Sequence, residues 1–389
     1  MRHLEAPSLN KSVKKILFVS HDASRTGAPI VLLNLAEVLR TCNYEIDFLL
    51  KNGGPLEADF KIKGKTFIVS KNPNKTLFKR AWNKFFPTEK YSFGNIEWSK
   101  YEYIISNTIT NGDILPEIKK LFDGPIISYI HELEMGTSYY SNPYDVKVQI
   151  ELSNGFLTPS EVVKRHLINN LSIKEQKIVS IPSYIPKPKN IKVKDRLTGN
   201  VFTVGAVGTL DWRKSPELFI LIAYAVYKKR PGLDILFKWK GSVEGHELDR
   251  LTNDIRKLKL EDKVFFVESS HDVQSFYSEL DLFILTSRED PYPLVILEAA
   301  NMDIPSLCFE NAGGAPEFVK AGNGGRVIPY LDIEDAADQV IYYFENPQER
   351  FKAGENAKQW LSDTHQNAEY IKIRFEDAIL KVINEPLVI

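Results

Sequence analysis

The hydrophobic pattern alternates between short continuous runs and longer helical stripes. Apolar, β-branched runs occur at Ile16–Ser20, Tyr44–Leu50, Thr66–Val69, Tyr103–Ser106, Ile126–Ile130, Gly155–Thr158 and Ile178–Ile181. The theme starts again at Val201–Val207, Asp234–Lys240, Val264–Val267, Leu282–Thr286, Ser306–Phe309 and Arg326–Ile328. Strands that are apolar throughout and separated by helices predict parallel sheets covered on both faces, an α/β protein. One helix is explicit. After Ser215, residues Leu218, Leu221, Ile222, Ala225 and Val226 form a single stripe. Ser215 is placed to cap it, with Pro216 at the first helical position and Glu217 at the positive end of the dipole.

The boundary between the two series falls near 182–196, where Pro182, Pro186 and Pro188 stand among lysines and predict a linker. The expected division is a first domain over 1–185 and a second over 186–367. A final helix over Ala368–Ile383 carries Ile371, Phe375, Ala378, Ile379 and Val382 as an apolar stripe. The segment 368–389 is thus suited to pack back on the first domain. A chain of 389 residues is the right length for two domains. In doubly wound sheets ligands bind beyond the carboxyl ends of the strands, so two such sheets face to face make one cleft.

Composition narrows the function. The formal net charge of -1 gives no whole-molecule signal for nucleic acid. Cys42 and Cys308 are the two cysteines and lie far from each other and from any ligand-type cluster, which argues against a disulfide framework or a zinc site. Residues Met1–Lys15 lack the apolar core of a secretory signal, and no run approaches the ~18 apolar residues of a membrane span. A cytoplasmic protein is expected. Charge is uneven locally: residues 61–90 hold nine Lys/Arg against the single acid Glu89, with Phe67, Phe78, Trp82, Phe85 and Phe86 interleaved. That stretch reads either as a solvated face over a local core or as a peripheral contact with anionic lipid or a lipid-linked acceptor.

The densest chemistry is Ser287-Arg288-Glu289-Asp290-Pro291-Tyr292-Pro293-Leu294-Val295-Ile296-Leu297-Glu298-Ala299. It follows a strand, turns through a proline loop and opens an apolar helix. The amides of Leu294 and Val295 are then unpaired donors at a helix start, suited to phosphate. Asp290 and Glu298 flank that point, and carboxylates accept from vicinal sugar hydroxyls. A second loop, Gly208-Thr209-Leu210-Asp211-Trp212-Arg213-Lys214-Ser215, closes the first strand of the second series and offers Lys214 and Arg213 as cations for a diphosphate. A third, from Ser20 to Pro29, leaves the first strand for a helix near Pro29, and Gly27 there permits close approach of a ligand. His131 ends the strand Ile126–Ile130 and faces the expected cleft, with Glu132 a weaker candidate beside it. Asn107, Ser160, Lys240-Gly241 and Asn311–Glu317 also follow strands; each is balanced between site and scaffold, and Glu317 is expected to help cap the helix that it opens. No Asp-x-Asp metal site, P-loop, nucleophile elbow or G-x-G-x-x-G fingerprint is found.

The Asp290–Glu298 segment resembles the acidic E-x7-E signature of the retaining family-4 glycosyltransferases of GT-B fold. The resemblance covers nearly the whole chain in order of elements. It implies two Rossmann-like domains facing across a cleft, and transfer from a UDP- or GDP-sugar to a saccharide or lipid-linked acceptor, without a metal or other cofactor. It gives Asp290 the donor sugar, Glu298 the ribose hydroxyls, Lys214 the diphosphate and His131 a sugar contact from the opposite domain. Two positions depart from the family: Asp290 stands for a glutamate, and Thr209 for an arginine after Gly208. Those departures keep open a silent nucleotide-sugar-binding protein, and a sugar-nucleotide epimerase on the same fold is a further alternative.

Overall fold

The computed structural model describes residues 13–71, 91–188, 201–241, 245–268 and 272–384. In chain order its strands are β1 (Lys14–Ser20), β2 (Tyr44–Leu50), β3 (Thr66–Ile68), β4 (Ser70–Lys71), β5 (Tyr91–Ser92), β6 (Tyr103–Asn107), β7 (Ile126–Tyr129), β8 (Gly155–Thr158) and β9 (Ile178–Ser180) in the first half. The second half adds β10 (Phe202–Val207), β11 (Ile235–Gly241), β12 (Val264–Glu268), β13 (Leu282–Leu285), β14 (Ser306–Phe309) and β15 (Gly325–Ile328). Every run read from the sequence is a strand to within a residue or so. The small antiparallel pair β4–β5 was not expected, because Ser70–Lys71 and Tyr91–Ser92 are too short to show a period.

Two parallel sheets result, in the orders β3-β2-β1-β6-β7-β8-β9 and β12-β11-β10-β13-β14-β15. In each, the order reverses beside the first strand, between β1 and β6 and between β10 and β13. A reversal of this kind splays the following loops apart and leaves a crevice at the carboxyl ends. The loops after Ser20, Asn107, Val207 and Leu285 therefore stand at the two crevices. The strands are buried because helices cover both faces: Phe18, Ile105, Phe237 and Ile284 are at most 1% exposed.

The final helix, Ala368–Asn384, turns its stripe onto the first half. Ile371, Phe375, Ala378, Ile379 and Val382 are all buried in one cluster with Ile16, Phe18, Tyr44 and Leu157. Gly155 makes this possible, since a Cβ there would lie 2.3 Å from Val382 Cβ. The chain thus crosses between the halves twice, and the crossings are stitched together. The Ile185 amide donates to His365 O (3.1 Å), and Asn301 Nδ2 donates to Pro186 O (3.1 Å). His365 Nδ1 donates to Ser183 O at 2.8 Å, so its Nε2 accepts from Tyr292 Oη at 2.9 Å. That last bond ties the crossing to the proline loop after β13.

Two expectations are corrected. Ser215 sits before the helix Pro216–Lys229 but does not cap it. Its backbone is left-handed (φ 54°, ψ 58°), and its hydroxyl turns back to Trp212 O at 2.8 Å while receiving Arg288 Nη1. The first helix begins at Gly27 rather than near Pro29. No described helix is long and apolar enough to cross a membrane.

Candidate active site

The loop after β13 brings Asp290 to the crevice and fixes it there. Its amide donates to Ala312 O (2.6 Å), and its carbonyl accepts from the Gly314 amide (3.1 Å). Gly313 is required at the facing position, because a Cβ there would lie 1.7 Å from Asp290 O. Asp290 is buried, and its Oδ2 pairs with Lys214 Nζ. Ser287 Oγ lies 3.4 Å from the same oxygen. Lys214 is itself set by its loop: its amide donates to Asp211 Oδ1 (3.1 Å) and its carbonyl accepts from Thr286 Oγ1 (2.9 Å). A cation from the loop after β10 thus meets an acid from the loop after β13.

The helix Leu294–Asn301 starts at this point. The amides of Leu294 and Val295 find no acceptor among the described residues. One turn on, Glu298 Oε2 accepts from Tyr277 Oη at 2.9 Å. Burial pushes the Glu298 carboxyl above its usual range, and the tyrosine hydrogen bond opposes that shift. Gly208 packs against the Lys214 stem, since a Cβ there would lie 3.2 Å from Lys214 Cγ. Thr209 does not act in place of a cation; its hydroxyl is spent on Asp211 Oδ2 at 2.5 Å. The Arg213 carbonyl accepts from the Arg288 amide (2.7 Å), while its guanidinium has no hydrogen bond or ion pair among the described residues, and its charge is felt by Glu132 of the opposite half.

Across the crevice, His131 follows β7. Asn107 gives its Nδ2 to Ala28 O (3.0 Å), so its Oδ1 accepts from His131 Nε2 at 2.7 Å. His131 then carries its proton on Nε2 and leaves Nδ1 as an acceptor. Burial, with the nearby His21, lowers its pKa to about 3, so the ring is neutral at working pH. Glu132 Oε2 takes two amides, those of Ile109 and His131, each at 3.1 Å. Burial raises that carboxyl to about 7 despite these donors and Arg213. Gly27 opens its helix with nothing within 4 Å of where a side chain would begin.

The halves are clasped by two glutamates. Glu289 accepts from the amides of Met135 (3.0 Å) and Gly136 (2.9 Å), at the start of the helix Glu134–Tyr140. Glu317 accepts from the amides of Glu161 (3.0 Å) and Val162 (2.8 Å), at the start of the helix Glu161–Asn169. The expectation for Glu317 is therefore corrected: it caps a helix of the other half, because its side chain reaches outward from its own helix across the seam. Ser160 caps that same helix through Val163 N (3.3 Å) and donates to Pro291 O (3.0 Å), which makes it scaffold at the seam. Lys240 is also committed within its domain, donating to Glu268 O at 3.2 Å.

Of the residues named from sequence, Lys214, Asp290, Glu298, Leu294 and Val295 come together on one face of the crevice. His131 stands on the other face. Sequence reasoning missed Tyr277 and the Glu289 clasp. A buried tyrosine needs a partner for its hydroxyl, which is a signal for Tyr277, but nothing in the sequence names that partner. Among the described residues no cluster of three or more His, Cys, Asp or Glu is placed to hold a metal. The basic stretch is described only over 61–71; there Lys63 pairs with Glu37 (2.5 Å), Lys61 lies 3.6 Å from Glu57, and Lys65 lies over Phe67. Residues 72–90 lie outside the described residues.

Two Rossmann-like halves meeting at their switch points, with a cation–carboxylate pair beside a helix start, define the GT-B class of α/β protein. Within that class the chain belongs to the group 1, family-4-type glycosyltransferases. Residues 188–360 match the glycosyl transferases group 1 family and residues 12–83 match glycosyl-transferase family 4. An uncharacterized glycosyltransferase of Haemophilus influenzae is 22% identical over 86% of this chain and 92% of its own length. The amylovoran biosynthesis glycosyltransferase AmsD of Erwinia amylovora is 26% identical, over 45% of this chain and 47% of its own length. The structure of Anabaena Alr3699/HepE in complex with UDP-glucose superimposes with a TM-score of 0.75, covering 93% of this chain and 98% of that one at 18% identity. The chain is a glycosyltransferase.

Proposed function

We propose that this glycosyltransferase moves a sugar from a UDP- or GDP-sugar to a hydroxyl of a saccharide or lipid-linked acceptor, with retention at the anomeric carbon and without a metal. The place of synthesis is the cytoplasm, and the product a cell-surface polysaccharide or glycolipid. The observation that carries this reading is the convergence of Lys214, Asp290 and the two free amides of Leu294 and Val295 at one helix start. A diphosphate placed there meets a lysine, the helix dipole and unpaired donors. Arg213, whose guanidinium is unpaired among the described residues, is a second cation on the same loop. These groups stabilise the charge that grows on the leaving diphosphate, the role a metal ion plays elsewhere. Asp290 orients the donor sugar, Glu298 holds the ribose hydroxyls, and neutral His131 contacts the sugar from the facing half. The clasped seam excludes water, which limits hydrolysis of the donor. Retention follows from the family resemblance. The basic stretch 61–90 meets anionic lipid near the acceptor, which cosedimentation with anionic and neutral vesicles checks.

Lys214→Ala and Glu298→Ala test the site. Each is expected to lower kcat/KM for the donor about 100-fold or more while the melting curve stays cooperative. Wild-type turnover in either variant overturns the assignment. Chelator is expected to leave the rate unchanged, and a rate abolished by it overturns the metal-free part alone. A panel of nucleotides read by thermal shift identifies the base, since a ligand that binds only the folded state raises Tm.

A further inference from the structure

Glu298 is held by one oxygen only. Its Oε2 accepts from Tyr277 Oη at 2.9 Å, and its Oε1 accepts nothing among the described residues. The Tyr277 ring is itself held in place by packing. The side chain is 1% exposed, with its ring centroid 5.9 Å from Phe283 and 6.1 Å from Phe276. Its hydroxyl also lies 3.2 Å from Val295 O, so it spans the first turn of the helix Leu294–Asn301 from behind. A half-buried carboxylate with one oxygen tethered and the other open accepts from water or from a ligand that displaces it. A rigid tether from a packed ring fixes which oxygen is offered and in what direction.

We infer that Tyr277 is a positioning residue for nucleoside recognition: it holds Glu298 so that the free oxygen meets the ribose hydroxyls. This deepens the donor-site reading and rests on its assignment of the ribose to Glu298. Burial and the tyrosine act oppositely on Glu298. Burial disfavours the charged form and is the larger influence, and the Tyr277 hydrogen bond favours it. Tyr277 touches no substrate. Its effect must therefore pass through Glu298 and depend on a ribose hydroxyl being present.

The test measures dissociation constants of UDP, 2′-deoxy-UDP and 3′-deoxy-UDP, with the GDP series in parallel, for the full chain, Tyr277→Phe, Glu298→Ala and the double variant. Thermal melts establish that each folds. Wild type is expected to bind at least one deoxy analogue about 10-fold more weakly than its parent nucleotide, and Glu298→Ala is expected to lose that discrimination. Tyr277→Phe is expected to weaken the parent nucleotide about 3- to 5-fold, to leave that deoxy analogue unchanged, and to do nothing further in the Glu298→Ala background. Equal weakening of parent and analogue by Tyr277→Phe would show a merely structural role and overturn the inference, as would no weakening at all. Retained discrimination in Glu298→Ala, or none in wild type, sinks the ribose assignment itself and the inference with it. If Tyr277→Phe fails to fold, Glu298→Asp replaces it. That carboxylate is retracted from Tyr277 by one methylene, so it should lose part of the discrimination while keeping its charge. Full wild-type discrimination in Glu298→Asp would overturn the inference.

Discussion

The seam between the halves and the crevice beside it use the same kind of side chain, the carboxylate, in two ways. On the seam, Glu289 and Glu317 each spend both oxygens on a pair of amides at a helix start of the other half. In the crevice, Asp290 and Glu298 each spend one oxygen, on Lys214 with Ser287 and on Tyr277, and keep the other free among the described residues. Glu289 and Asp290 are neighbours in sequence and fall on opposite sides of this division. If the proposed site is right, saturation separates an acid that holds the fold from one that meets a ligand, where burial does not: Asp290 is 6% exposed yet has an oxygen without a partner among the described residues.

The sharpest way to break the contrast is to remove charge without changing shape. Asp290→Asn keeps the volume and strips Lys214 of its counter-charge, so kcat/KM is expected to fall about 100-fold or more. Glu289→Gln, one residue away, is expected to change it less than about 5-fold, because the clasp touches no reacting group. Steady-state kinetics on the two variants decides. Equal losses would mean that the neighbours share one role and that saturation is no guide.

A smaller effect is expected from the seam. A carboxylate seated on a helix start contributes about 1 kcal/mol where the amides regain water on opening. The double variant Glu289→Ala, Glu317→Ala should therefore lose about 2 kcal/mol of closure. Small-angle scattering should show a larger radius of gyration without ligand and recovery with the stabilising nucleotide. A radius unchanged from wild type would mean that the two chain crossings around His365 hold the halves closed without the clasps.

The division also accounts for what was legible in the sequence. The strands were, because continuous apolar runs such as Ile126–Ile130 have only one comfortable place in a doubly wound sheet. The arrangement of the loop after β13 was, because Asp290, Leu294, Val295 and Glu298 lie within nine consecutive positions, and their spatial relation follows from one turn and one helix start. What was hidden depends on a second segment far away. Glu317 looked like a local cap because only the packing of the halves brings residues 161–162 to it. Ser215 carries an ideal capping residue type, but the left-handed backbone and Arg288, fixed some seventy positions later, take its hydroxyl away. Tyr277 needed the fold to meet Glu298.

The subtlest test asks whether the same division holds on the first half. Glu132 takes the amides of Ile109 and His131 on Oε2, is further favoured as an anion by its own amide and by Arg213 across the crevice, and is still dominated by burial. It should then behave as an incomplete site acid and not as a finished cap. Burial raises its carboxyl from 4.5 to about 7, so the folded state binds the proton more tightly than the unfolded chain. The stability this group contributes is fully present below pH 4.5 and is lost as the pH rises through 7. Glu132→Gln keeps an acceptor for both amides and never ionises. Relative to wild type it should gain on the order of 3 kcal/mol between pH 4.5 and 8, with the difference flat beyond. Urea midpoints of both proteins at pH 5, 6, 7 and 8 measure this directly. A difference that does not change with pH would mean that the two amides and Arg213 already satisfy the anion, which would place Glu132 with Glu289 and Glu317 and leave His131 as the reactive face of the first half.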